Sequence, residues 1–157
     1  MLAKIEQWID ETLDAYSDSK VSCKVLLPHL NGFYPADFLE ESFFVLVDEI
    51  PKPDFPELRQ MGLGDFIDGD HVGITYKNTY FIKKEFASNY RLHFHELVHV
   101  LQWRCLGGSG FIERYIQELN ENGYNNAPLE KMAYGLDAYF SAQKPAFDIP
   151  KYVQQEI

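Results

Sequence analysis

The segment Arg91–Cys105, RLHFHELVHVLQWRC, constrains this chain more than any other. Its spacing is helical, and Gly107-Gly108 stand beyond it to stop the helix. On a helical wheel His95, Glu96, His99, Gln102 and Trp103 gather on one side, and Leu97, Val98, Leu101 and Cys105 on the other. Both sides are therefore made for burial, one apolar and the other carrying imidazoles and a carboxylate. Buried polar groups need partners, so the fold must bring partners to this helix.

The chain has 157 residues, of which 46% are apolar. That is one domain's length, and such a chain buries about 70% of its unfolded surface, so it needs neither disulfide nor metal merely to fold. With 14 basic and 24 acidic residues the net charge is −10. This excludes nucleic acid and anionic membrane as partners, because both bind through clustered Lys and Arg. The first residues, MLAKIEQWIDETLDAY, hold no apolar signal segment, and no run approaches 18 apolar residues. The expectation is a cytoplasmic protein with Cys23 and Cys105 reduced, both serving as small buried residues.

Along the chain, Leu2, Ile5, Trp8, Ile9, Leu13 and Tyr16 predict an amphipathic helix. Val21–Leu27 reads as a strand, Pro35–Glu41 as a short helix and Phe43–Val47 as a buried strand. Residues 51–70, rich in Pro and Gly, read as an irregular wrap or binding rim. Val72–Ile82 alternates about Lys77-Asn78 and predicts a β-hairpin. Helices follow at Arg91–Cys105, Gly110–Asn122 and Pro128–Ser141. Nothing splits the chain, so residues 1–157 form one domain, with 1–70 as N-terminal helix and scaffold and 71–141 as hairpin and helices.

His95-Glu96-Leu97-Val98-His99 is an H-E-x-x-H motif. Two His at i and i+4 on one helix face can share a metal, and imidazole suits zinc. Glu96, about 100° further round the helix, reaches past the metal toward a bound water. Zinc lowers the pKa of that water to about 7, and Glu96 can take its proton. The bland alternative is two hydrogen-bonded core histidines beside a solvated glutamate.

A third protein ligand is required. In the metzincin pattern a Gly and a His follow at positions 102 and 105, which here hold Gln102 and Cys105. That arrangement is rejected, and Cys105 with it. The remaining candidates are Glu113, Glu118, Glu121 and Glu130 on later helices. Glu118 sits at the edge of its helix's apolar stripe. Glu130 shares a face with Leu129, Ala133, Asp137 and Phe140. Glu130 is the expected ligand and Glu118 the next in order, with Asp137 as an acceptor for a ligand imidazole.

From His95 to Tyr134 the chain resembles minimal gluzincin-type zinc metallopeptidases. The resemblance rests on HELVHVLQ and on Asn125–Tyr134, NNAPLEKMAY, with the GITYKNTYFI hairpin upstream. It covers residues 72–140. It implies an α+β, zincin-like fold in which a small mixed sheet with an antiparallel hairpin packs on the active-site helix. It implies one Zn2+ held by His95, His99 and Glu130, with Glu96 as catalytic base. It also implies that the hairpin edge lies above the metal, in position for a peptide or protein substrate to add as a strand, and it implies no particular substrate. Tyr134 is a candidate donor to the oxyanion, as are Tyr115 and Tyr124. His93 is expected to be structural, Trp103 to fill space beneath the metal, and His29 and His71 receive no role.

The expected function is a zinc-dependent metallopeptidase. Its rival is a zinc-binding regulatory or partner-binding module without hydrolytic activity. The surplus of acid favours basic or neutral peptides as substrates.

Overall fold

The computed structural model describes all of residues 1–157. In chain order the elements are α1 (Leu2–Ala15), β1 (Val21–Ser22), a 3-10 helix (Cys23–His29), α2 (Ala36–Glu40), β2 (Phe43–Val47), α3 (Pro56–Leu58), a π-turn (Arg59–Leu63), α4 (Gly64–Asp68), β3 (Gly73–Tyr76) and β4 (Thr79–Lys83). A 3-10 turn (Lys84–Phe86), α5 (Tyr90–Leu106), α6 (Gly108–Asn122), α7 (Pro128–Ser141) and α8 (Ile149–Glu156) complete the chain. The architecture is α+β, and no helix is long and apolar enough to cross a membrane.

The four strands lie in the order β1-β2-β4-β3, with β2 parallel to β4 and the other pairs antiparallel. The hairpin pairs Gly73 with Ile82 and Tyr76 with Thr79, so β3 is an edge strand with one free side. Central β4 is covered on both faces, and its side chains alternate between two apolar clusters. Tyr80 and Ile82 pack with Leu26, Phe33, Phe94, Leu97 and Val98. Phe81 packs on the opposite face with Ile5, Ile9, Val45, Trp103 and Phe111. At the hairpin turn Lys77 reaches Glu6 at 2.8 Å and Asp10 at 2.7 Å, tying β3 and β4 to α1.

Helix α5 is enclosed, with every residue from His93 to Trp103 buried. It packs against α6, α7, α8 and the β3–β4 hairpin. Asn89 starts it by accepting a hydrogen bond from Leu92 N at 3.0 Å. Gly107 ends it and launches α6 with φ +75°, a conformation side-chain-bearing residues avoid. A buried relay pins its first turn to β4. The Tyr80 hydroxyl donates to His93 Nδ1 at 2.7 Å, and His93 Nε2 donates to the Ala87 carbonyl at 2.8 Å. Burial pushes the His93 pKa down and keeps the ring neutral, the structural role its sequence position predicts.

Three expectations need correction, and one further element is present. Only Val21 and Ser22 of the predicted strand pair with β2; from Cys23 the chain coils into a 3-10 helix, which buries Cys23 and Leu26. Residues 51–70 are not irregular throughout, because three short helical turns run from Pro56 to Asp68, interrupted at Gly62, whose φ is +89°. Cys105 is exposed, because α5 outlasts its cover after Trp103. Residues beyond 141 add α8, whose Ile149 and Val153 are buried against the α5 side of the sheet.

Candidate metal centre

His95 and His99 project from consecutive turns of α5 toward Glu130 in the first turn of α7. His95 Nε2, His99 Nε2 and Glu130 Oε1 form a triangle with every edge 3.2 Å. All three residues are buried and their ligand atoms can hold one ion. Pro128 opens α7 and so places Glu130 two positions further in.

The hydrogen bonds behind the triangle decide what the triangle can bind. His95 Nδ1 lies 2.8 Å from Asp137 Oδ2, and His99 Nδ1 lies 2.7 Å from Gln102 Oε1. Both partners are acceptors, so each ring carries its proton on Nδ1 and turns the Nε2 lone pair inward. Gln102 is oriented by its amide, which donates to the Leu129 carbonyl at 3.0 Å. Three acceptor atoms thus converge with no donor among them, a set that a cation satisfies. A tetrahedral ion bonded at about 2.0–2.1 Å holds its ligands about 3.3 Å apart, so the donor spacing also fits.

Without a metal, protons take that place. Burial opposes a charge on His95, but Asp137 and Glu130 outweigh it and push the pKa up to about 10. His99 is likewise raised by Glu130 against the opposing effect of burial. Burial favours a neutral Glu130, yet His99 and His95 hold its carboxyl far below the usual range. The Tyr115 hydroxyl donates to the second carboxylate oxygen, Glu130 Oε2.

Glu96 stands outside the triangle. Its Oε2 is 3.9 Å from His95 Nε2, and its Oε1 is 3.1 Å from the Thr75 hydroxyl on β3. Burial raises its pKa, partly offset by His95 and His99. β3 runs so close that a Cβ added at Gly73 would lie 3.3 Å from Glu96 Cδ. The outer edge of β3 therefore borders the centre, and Gly73, Thr75, Glu96, His99 and Glu130 line a common cleft. Trp103 fills the space beneath, stacked on Phe111 at 4.1 Å and donating to the Thr75 carbonyl at 3.2 Å.

Of the sequence-predicted residues, His95, Glu96, His99, Glu130 and Asp137 all meet here. Glu118 does not. Its carboxylate accepts from Leu129 N at 2.8 Å and from Arg114 Nε at 3.0 Å, capping the helix that carries Glu130. Tyr134 lies over the His95 ring, 4.5 Å between centroids, with its hydroxyl 3.4 Å from that of Tyr124. His71, to which the sequence reading assigned nothing, lines the cleft with its Nε2 donating to the Phe66 carbonyl at 2.8 Å. Burial lowers its pKa and keeps it neutral. It sits in a loop with no periodic pattern, and its place two residues before β3 is the only hint the sequence holds.

No family model matches this chain, no curated protein matches it, and no solved structure matches it. The functional reading therefore stands on the geometry.

Proposed function

We propose that this protein is a zinc-dependent metallopeptidase of gluzincin type, hydrolysing peptide bonds at the His95–His99–Glu130 centre. The observation that carries this reading is Glu96, a buried carboxylate that is not in the donor triangle and that lines the cleft beside it. A purely structural zinc is closed by four protein ligands and has no use for such a group.

A zinc ion held by His95, His99 and Glu130 would supply a Lewis acid that polarises a carbonyl and acidifies a bound water. The chain's own residues do the rest. Thr75 holds Glu96 Oε1 and leaves Oε2 turned toward the donor triangle. Glu96 accepts the proton of the attacking water at Oε2 and returns it to the departing amine nitrogen. Its raised pKa suits both halves of that transfer. Asp137 and Gln102 keep the two imidazoles in the tautomer that presents Nε2. Tyr115 is committed to Glu130, which leaves the hydroxyl pair at the rim, Tyr134 donating to Tyr124 at 3.4 Å, as the source of a donor to the developing oxyanion. The outward backbone groups of β3 at Gly73 take the peptide backbone as an added strand, the Thr75 carbonyl being held by Trp103.

Protein purified without added zinc should carry close to one equivalent, or take it up on titration. Less than about half an equivalent with no uptake overturns the zinc assignment. Glu96→Gln should keep zinc and lose cleavage of a broad peptide library by about 10²-fold or more. Wild type as inert as Glu96→Gln across such libraries overturns the peptidase assignment in favour of a binding module.

A further inference from the structure

Arg91 stands one helical turn before His95 on α5. Its Nε donates to Asp137 Oδ1 at 2.8 Å, while Asp137 Oδ2 takes His95 Nδ1 at the same distance. One carboxylate thus fixes both a ligand ring and a guanidinium. The Arg91 Nη atoms make no hydrogen bond within the protein, and the side chain is 53% exposed. It lines a second cleft, whose wall includes Gly73, His95, Glu96, Tyr134 and Asp137. Gly73, Glu96, His71 and Tyr124 also line the cleft at the donor triangle, so the two clefts adjoin across a shared wall. Arg91 is the only Lys or Arg in either lining, and the acids there are Asp70, Glu96, Glu130 and Asp137.

We infer that Arg91 is the anchor for the terminal carboxylate of a peptide substrate, so that the enzyme takes peptides by a free C-terminus. The inference rests on the peptidase reading. A guanidinium held through Nε keeps a planar fork for bidentate binding of a second carboxylate. The polarity of β3 agrees. Its first residue, Gly73, borders the Arg91 cleft, whereas its last, Tyr76, packs on Trp8 of α1. A peptide added antiparallel to β3 runs its C-terminus toward Arg91. A parallel peptide would bring its ammonium group to a cation.

The test uses N-acetylated pentapeptides from the library, each made as free acid and as C-terminal amide. Zinc-loaded wild type should cleave the acid about 10- to 100-fold more efficiently than the amide, the range expected of a charge-assisted hydrogen-bonded pair. Zinc-loaded Glu96→Gln, titrated calorimetrically with the same peptides, should show the same preference in Kd. Arg91→Gln should bring acid and amide within about threefold of each other, with the acid rate falling much further than the amide rate, and Arg91→Lys should keep part of the preference. Equal cleavage and equal binding of the two forms by wild type and Glu96→Gln overturns the anchor while leaving the peptidase reading intact. So does an Arg91→Gln protein that loses acid and amide rates equally, because Arg91 then acts only by steadying Asp137. If no peptide is cleaved but Glu96→Gln still binds acid over amide, the anchor stands and the peptidase reading fails.

Discussion

Gln102 Oε1 lies 2.7 Å from His99 Nδ1, and the same side chain donates from Nε2 to the carbonyl of Leu129 at 3.0 Å. One buried amide therefore sets the tautomer of a ligand histidine and ties α5 to the start of α7, next to Glu130. Replacing it by Leu leaves a ring N–H and a backbone carbonyl unpaired in the core. Gln102→Leu should lower zinc affinity by about 10- to 100-fold and stability by about 1–3 kcal/mol. Competition against a chelator and urea titration measure the two effects. An unchanged zinc affinity would show that His99 needs no partner on Nδ1.

Glu118 and Glu130 are both buried acids on neighbouring helices, yet they do different work. Glu118 accepts the Leu129 N–H at the head of α7, and Glu130 completes the donor triangle. Glu118→Ala should keep a full equivalent of zinc while losing about 1–3 kcal/mol of stability, which in a chain of this length is roughly 2–4 °C in Tm per kcal/mol. Glu130→Ala should lose zinc. The reverse pattern, with metal lost only from the Glu118 variant, would move the third ligand to α6.

Much of the site was legible because helical spacing is local. His95 and His99 are one turn apart, and the apolar stripe around Glu130 marked it as an inward-facing acid. Asp137 was legible for the same reason, lying two turns beyond Glu130. Gln102 appeared only as a residue on the polar side of α5, since its partner carbonyl comes from α7. His71 and Arg91 owe their places to tertiary folding that brings a loop and a helix start to one cleft. The hairpin and the long helices carry strong periodicity and were readable to within a few residues. The 51–70 stretch was not, because short turns around Pro56 and Gly62 satisfy no period. α8 did carry signals, with Asp148 capping Lys151 N at 3.0 Å and Pro150 in its first turn, but eight residues hold too few apolar positions to stand out.

The charges at the centre make the stability of the metal-free protein depend on pH. The folded-state pKa of His95, about 10, lies above its ordinary 6.5, so protonation of this ring stabilises the fold. That contribution is complete below pH 6.5 and is lost as pH rises through about 10. Glu130 is depressed below its ordinary 4.5, so its contribution is present above pH 4.5 and is lost in stronger acid. A bound cation replaces the protons and removes the alkaline loss. The gap in Tm between zinc-loaded and EDTA-treated protein should therefore widen steadily from pH 6 to pH 9. A gap that is constant or narrows over that range would show that zinc does not displace protons from the His95–Glu130 pair.

Gly73 is where the edge strand and the base meet. A Cβ there would sit 3.3 Å from Glu96 Cδ and 3.4 Å from Cγ, and 3.4 Å from the Phe81 carbonyl across the hairpin. β4 cannot yield, because it is the buried centre of the sheet, so Glu96 must move. A displacement of a few tenths of an ångström leaves the donor triangle untouched and shifts only the carboxylate that handles the proton. Gly73→Ala should therefore retain a full equivalent of zinc and lose about tenfold or more in kcat, because proton transfer is sensitive to misplacement on this scale. Its KM for a given peptide should change less than kcat. Restoring room by pairing it with Glu96→Asp, which shortens the side chain by one methylene, should recover part of the loss relative to Glu96→Asp alone. Zinc loss in Gly73→Ala, or a double variant no better than Glu96→Asp, would place the defect in the sheet rather than at the base.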